Sequence, residues 1–198
     1  MKKKPVVVMV VTALLSAVAV ALFYMNFSIF PPPASHLKLD FSDIPVLFGG
    51  LLFGPGTAVV IELIKNLIEL LTVGAGSTMG LGNIMNFTVG VAFALPYVLI
   101  IRRAHKRQQA TSWKTVAIAS AAGIAAIIAV GIGMNVIFTP LYFRFVLNNP
   151  IPMSAVWGVV GFATALNTIK GVMLSVSGAL LLRLPLKARL EKYISGNG

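Results

Sequence analysis

The sequence predicts an all-α integral membrane protein with six transmembrane helices and both termini in the cytoplasm. Three observations carry that prediction. Hydrophobic residues make up 58% of the 198 positions and charged residues only 11%, whereas soluble domains carry roughly 25% charged residues. Five apolar runs are long enough to cross roughly 30 Å of hydrocarbon, and a sixth, shorter run precedes a Gly-Pro-Gly turn. Most of the sixteen Lys and Arg residues gather on one side of a six-span arrangement, as the positive-inside rule requires. A soluble enzyme, a disordered chain and a nucleic-acid binder are excluded, the last despite a net charge of +11. With no cysteine there is neither a disulfide frame nor a thiolate metal site.

The spans follow in order. The first covers Val6–Tyr24 behind Lys2, Lys3 and Lys4. That start, together with Ala17-Val18-Ala19, mimics a cleavable signal peptide, but the apolar stretch runs on to Phe30 and favours a retained helix. The second run, Ile44–Phe53, is halted by Gly54-Pro55-Gly56, which no helix continues through. Even counted from Phe41, thirteen residues reach only about 20 Å at ~1.5 Å per residue. Thr57–Val73, Asn83–Ile101, Val116–Phe138 and Val156–Leu182 complete the set. The expectation is one six-helix membrane domain over 1–198, with spans at about 5–26, 41–53, 57–73, 82–102, 115–139 and 153–184. Helix is the form required because backbone in lipid must satisfy its own hydrogen bonds.

Six crossings place Lys2, Lys3, Lys4, Arg102, Arg103, Lys106, Arg107, Lys114, Arg183, Lys187, Arg189 and Lys192 together on the inner side, and five crossings would split them. The opposite loops hold only Lys38 and Arg144. The net charge is thus a topology signal, with anionic lipid as a contact. Trp113, Trp157 and Tyr142 fall near span ends, where amphipathic rings lie. The tail Ser195-Gly196-Asn197-Gly198 reads as frayed.

In such a chain the informative residues are the polar ones inside spans. If the second helix reaches the inner turn, its outer end stops within the bilayer and the preceding loop dips with it. That is tolerated only against protein or a water-filled cavity, so the sequence implies a recess open to the outside and roofed by Leu37–Asp43. Asn135 lies near the outer end of the fifth span, and Asn167 and Lys170 share a face of the sixth. A mid-bilayer lysine costs about 3 kcal/mol or more and faces a pathway or a partner. An ion pair with Glu62 or Glu69, made for packing, is the alternative to a ligand site.

Asn83 is expected to cap the fourth helix, and Asn86 is divided between site and structure. Glu62, Lys65, Asn66 and Glu69 share one face of the third span, where Lys65 between two carboxylates reads as interhelical glue. Ala13, Ala17 and Ala21 give the first span a small-residue face suited to close approach of another helix, internal or foreign. His36 and His105 read as solvent-facing loop residues, with no plausible zinc set. The methionines, Met85 among them, read as lipid- or core-facing, though thioethers suit a flat ring ligand.

Asp40 and Asp43 form an Asp-x-x-Asp pair that would suit Mg²⁺ in a membrane transferase, but only three further acids exist and that chemistry needs a second acidic cluster. No Ser-His-Asp or Cys-His set and no Gly-Lys dipeptide occurs, so the chain carries no Walker loop. The reading is a non-enzyme whose ATPase, if it uses one, lies on another subunit.

Leu37-Lys38-Leu39-Asp40-Phe41-Ser42-Asp43-Ile44-Pro45, Phe53-Gly54-Pro55, Ile64-Lys65-Asn66, Gly82-Asn83-Ile84-Met85-Asn86-Phe87 and Asn167-Thr168-Ile169-Lys170-Gly171 occur in that order. This series resembles the riboflavin-specific S components (RibU type) of energy-coupling-factor, or ECF, transporters over nearly the whole chain. The resemblance implies a bacterial cell-membrane subunit that binds riboflavin from outside as cargo, with no cofactor. It implies partners too: a membrane coupling subunit and two cytosolic ATPases, met through the alanine face of span one. Asn135, Asn167 and Lys170 would hydrogen-bond the polar edge of the flavin ring. Leu37, Lys38, Leu39 and Asp40 would cap it, and Asn86 is a looser carry-over. Acceptance of FMN is left open. Another vitamin, such as thiamine or folate, on the same architecture is the nearest rival. Glu69 has no counterpart in the family pattern, and the pocket is expected to be unaffected by it.

Overall fold

The computed structural model describes residues 5–32, 34–106 and 112–183. Lys2, Lys3, Lys4, Arg107, Lys187, Arg189, Lys192 and the tail after Ser195 lie outside the described residues.

Among the described residues, six helices of 11 to 31 residues and one single-turn helix build the molecule. Helix α1 (Pro5–Tyr24) starts on a proline, whose missing N–H is no loss in a first turn. In its interior Thr12 and Ser16 turn their hydroxyls back onto the carbonyls of Val8 and Thr12, so neither is left unsatisfied. The chain then makes a two-residue antiparallel ribbon, β1 (Phe27–Ser28) with β2 (Lys38–Leu39), pairing Phe27 with Leu39 and Ser28 with Lys38. This ribbon is the one departure from an all-helical chain among the described residues.

Helix α2 (Asp43–Phe53) has 11 residues, about 16 Å at ~1.5 Å per residue. Gly54 ends it at φ 125, a region that favours glycine. Beside that turn the Arg102 guanidinium donates to the carbonyls of Leu51 and Leu52 at 3.4 and 3.5 Å, supplying donors where the helix has run out of its own. Helix α3 (Pro55–Glu69) continues through a π-helical turn, Leu70–Gly74, into α4 (Ala75–Thr78). Met79 and Gly80, both at positive φ, turn the chain into α5 (Leu81–Lys106). Helix α6 (Trp113–Leu141) is capped by the Ser112 hydroxyl, which accepts from the Thr115 N–H at 3.2 Å. It runs into a second π-helical turn, Tyr142–Val146. Helix α7 (Met153–Arg183) closes the bundle.

Four of these, α1, α5, α6 with its π turn, and α7, are long and apolar enough to cross a membrane. Helix α2 is too short, and α3 carries Glu62, Lys65 and Glu69. Both are paired with the long helices. At one end of the bundle the start of α1, the α2–α3 turn and the end of α5 meet around Thr12, Gly54 and Arg102, and Arg183 lies over the Trp113 ring at 5.4 Å. This is the basic end. At the other end the loop between α1 and α2 folds inward.

The interior divides along the bundle. Toward the basic end Leu47, Leu51, Phe93, Tyr97, Val98, Ile101, Ile127 and Leu174 form an apolar core. Packing is close enough that a Cβ on Gly123 would stand 2.8 Å from the Phe93 ring, so contact area takes the place of the hydrophobic drive that lipid does not supply. Toward the other end a smaller apolar cluster of Ala34, Leu37, Leu39, Phe143, Val159, Ala163 and Leu166 pins the loop against α7.

Candidate functional site

The short α2 sets the geometry of the site. Because it begins well short of the loop-side ends of its neighbours, Asp43 at its start and Asp40 just before it are carried down to Lys170. That residue is the eighteenth of the 31 in α7, about 25 Å below the start of that helix. Asp40 is buried and shaped by its own turn, its Oδ1 accepting the Ser42 N–H at 2.8 Å and the Ser42 hydroxyl as well. Its Oδ2 lies 3.4 Å from Lys170 Nζ, and the same ammonium stands 2.9 Å from Asp43 Oδ2.

Asp43 Oδ1 in turn meets Lys65 Nζ at 2.6 Å, and Lys65 meets Glu62 Oε1 at 2.6 Å. Asn66 donates to that same Glu62 oxygen at 3.0 Å. Five charged side chains thus alternate in sign from the loop to the middle of α3. None of their side chains is more than 5% exposed. Charges at that depth persist only when paired and hydrogen-bonded.

Above this chain lies a cavity of about 210 Å³, bounded by the loop, α3, α5, α6 and α7. Its walls include apolar Leu81, Met85, Val89, Phe138 and Leu166, and its polar groups include Asn86, Asn135, Asn167 and Lys170, Glu69 from α3, and Asp40, Lys38 and His36 from the loop. Apolar walls with a few convergent polar groups are the common form of a small-molecule site. Asn135 is buried on α6, its Nδ2 donating to the Gly131 carbonyl at 2.8 Å and its Oδ1 accepting from the Thr139 hydroxyl at 3.4 Å. Gly131 lies directly against the Asn167 amide, where a Cβ would collide with Nδ2. Asn86 Oδ1 is buried without a partner, so an acceptor faces into this region unspent.

The predicted positions therefore converge, with exceptions. Asn86, Asn135, Asn167, Lys170, Leu37, Lys38 and Asp40 all line the cavity. Leu39 does not, since it packs with Phe143 and Val159 in the cluster that anchors the loop. Ala13, Ala17 and Ala21 are exposed on α1, away from the cavity, while Ser16 and Ala19 face the bundle.

Several local expectations are corrected. Lys170 pairs with Asp40 and Asp43, neither Glu62 nor Glu69, because the dipping loop brings both aspartates closer. Lys65 lies between Glu62 and Asp43, so its face reaches outside α3. Asn83 does not cap α5: its Nδ2 donates to the Asn66 carbonyl at 3.0 Å and to Glu69 Oε2, tying α5 to α3. Glu69, expected to leave the pocket untouched, is one of its lining residues. His36, expected to face solvent, is half-buried, stacks on Tyr142 at 4.8 Å between ring centroids and lines the cavity. The Asp40–Asp43 pair faces two ammonium groups, which disfavours a second cation between them.

Sequence reasoning missed Phe138, Thr139 and Tyr142, three, four and seven residues beyond Asn135. That spacing puts them on its helical face, so the signal was present once Asn135 had been singled out.

Comparison with known proteins adds an independent line. The family model described as "ECF transporter, substrate-specific component" matches residues 7–182. The riboflavin transporter FmnP of Bacillus subtilis (strain 168) is 30% identical over 191 residues, covering 96% of each chain. The riboflavin transporter RibU of Staphylococcus aureus (strain TCH60) is 31% identical over 182 residues, 88% of each. A solved structure of the S component of a bacterial ECF transporter superposes with a TM-score of 0.66 at 26% identity, covering 96% of this chain and 98% of that one.

Proposed function

This chain belongs to the substrate-specific components of ECF transporters, and from that membership we propose that it binds riboflavin from outside the cell and presents it to an ATP-driven uptake complex. It is a multi-pass protein of the bacterial cell membrane and a transport component, not an enzyme. The observation that carries the ligand reading is the gathering of asparagine amides and the Lys170 ammonium on the walls of a cavity beneath the loop, beside apolar residues and the charged Lys38, Asp40 and Glu69. A flavin offers a flat apolar ring with donors and acceptors along one edge. Asparagine supplies both a donor and an acceptor, and Lys170 supplies donors only. A buried polar set of this kind rejects analogues that leave its members unpaired.

Asn135, Asn167, Lys170 and Asn86 take the polar edge, Leu37, Lys38 and Asp40 close over it, and Leu39 holds the loop from behind. At about 210 Å³ the cavity is smaller than the roughly 300–1,000 Å³ of sites for drug-sized ligands. Loading therefore shifts the lining outward, with the loop as the part that gives.

The family implies further ECF subunits as partners. In finer detail, the partners are one membrane coupling subunit and two cytosolic ATPases, consistent with the lack of a Gly-Lys dipeptide in this chain. The exposed Ala13, Ala17 and Ala21 face is the docking surface for the coupling subunit. Replacing Ala13 and Ala17 together by Leu is expected to abolish assembly and uptake while leaving binding intact, and unchanged uptake would refute that assignment.

The deciding experiment for the ligand is the absorption spectrum of the detergent-purified protein with no ligand added. Flavin bands, with flavin fluorescence quenched until denaturation, are expected. A colourless preparation that fails to quench added riboflavin overturns the reading.

A further inference from the structure

We propose that Lys65 and Glu62, which do not line the cavity, are positioning residues that set how strongly Lys170 is offered to the ligand. The inference rests on the riboflavin reading. Lys170 Nζ has three donors: Asp40 Oδ2 accepts one at 3.4 Å, Asp43 Oδ2 stands closer, at 2.9 Å, as an ion pair, and the side chain lines the cavity. The grip of Asp43 on Lys170 is therefore the main competitor of the ligand. Asp43 is itself shared, since its other oxygen is 2.6 Å from Lys65, and Lys65 is shared again with Glu62 at 2.6 Å.

The far end of this chain is fixed. Glu62 is fully buried, receives Asn66 Nδ2 at 3.0 Å and presses on α5, where a Cβ at Gly90 would stand 2.6 Å from Glu62 Oε1. The Lys65 ammonium lies over the Phe23 ring at 5.5 Å. With so little room to move, a charge removed at one link is felt at the next as a change in pairing strength, which low-dielectric surroundings enlarge.

An alternating chain transmits with alternating sign. Without Lys65, Asp43 has only Lys170 and holds it harder, so the ligand binds more weakly. Without the Glu62 charge, Lys65 draws more on Asp43, Asp43 relaxes its hold on Lys170, and the ligand binds more tightly. A role limited to packing would weaken binding in both cases.

The test is titration of riboflavin fluorescence quenching on the full-length protein in detergent. Lys65→Met is expected to weaken binding about tenfold and Glu62→Gln to tighten it about twofold, within the range of coupling between members of one buried network. Both effects are expected to vanish in a Lys170→Met background, where nothing remains to be positioned. Weakening by both variants, or effects that persist in that background, overturns the proposal while leaving the riboflavin reading intact. Wild-type protein that does not quench riboflavin overturns that reading, and this one with it. Should Lys65→Met fail to fold, the sign of the isosteric Glu62→Gln change decides alone.

Discussion

The same helices build two unlike interiors. Helix α7 contributes Asn167 and Lys170 to the cavity and, one turn further on, Leu174 to the dry core. Helix α5 contributes Asn86 to the cavity, then Phe93 and Tyr97 to the core. In the dry half no buried group asks for a partner except the Tyr97 hydroxyl, among the described residues. In the wet half buried charges and amides are held in a lattice of pairs, with some acceptors unspent. The difference shows how a chain so poor in polar residues divides its labour. Close packing near the basic end holds the helices together, and that lets the opposite half carry groups that would be costly in an unsupported fold.

Substitutions break or sharpen that division. Lys170→Ala crosses it and has the largest expected effect. It removes the ammonium from two buried aspartates, and losing one partner of a buried pair costs about 3–5 kcal/mol. Riboflavin binding is expected to fall at least about a hundredfold, read by fluorescence titration, together with a lower unfolding midpoint in detergent. Phe93→Ala belongs to the dry half alone. It is expected to cost about 3–5 kcal/mol of stability as a large-to-small core change, with the dissociation constant of the surviving folded protein unchanged within about twofold. Gly131→Ala should do the reverse. The added methyl displaces the Asn167 amide, weakening binding about tenfold, while the helix gains up to about 1 kcal/mol in propensity. Asn86→Ala is the mildest, with binding weaker by about threefold, near the lower edge of a net hydrogen bond, and no loss of stability. An equal loss of stability in the Phe93 and Asn86 variants would erase the distinction between the halves.

How much of this was legible follows from the kind of signal each feature leaves. The short α2 was countable, because Gly54-Pro55 fixes one end and the polar loop the other. Asn167 and Lys170 share a face by spacing alone, and Asn135 was conspicuous as an amide in an apolar run. Periodicity could not show that Lys170 reaches Asp40, 130 residues earlier in the chain, because that pairing is created by the dip of a loop whose depth depends on packing. The π-helical turns after Glu69 and Leu141 leave no mark in hydropathy. Nor does local pattern show that Asn83, assigned to a cap, bonds instead to Asn66 and Glu69 on α3, or that His36 reaches Tyr142.

The depth of Lys170 has an electrical consequence. A solvent-filled recess reaching about 25 Å down α7 would compress the voltage drop of an energised membrane into the remaining, dry half. Cargo without charge crosses that gradient at no electrical cost. The cluster beneath it, three carboxylates against two ammonium groups, carries one surplus negative charge when all five are ionised. Any reorientation that carried that surplus through the field would cost or gain about 2.3 kcal/mol per elementary charge for each 100 mV, and the resting potential of the cell would then enter the energetics of delivery.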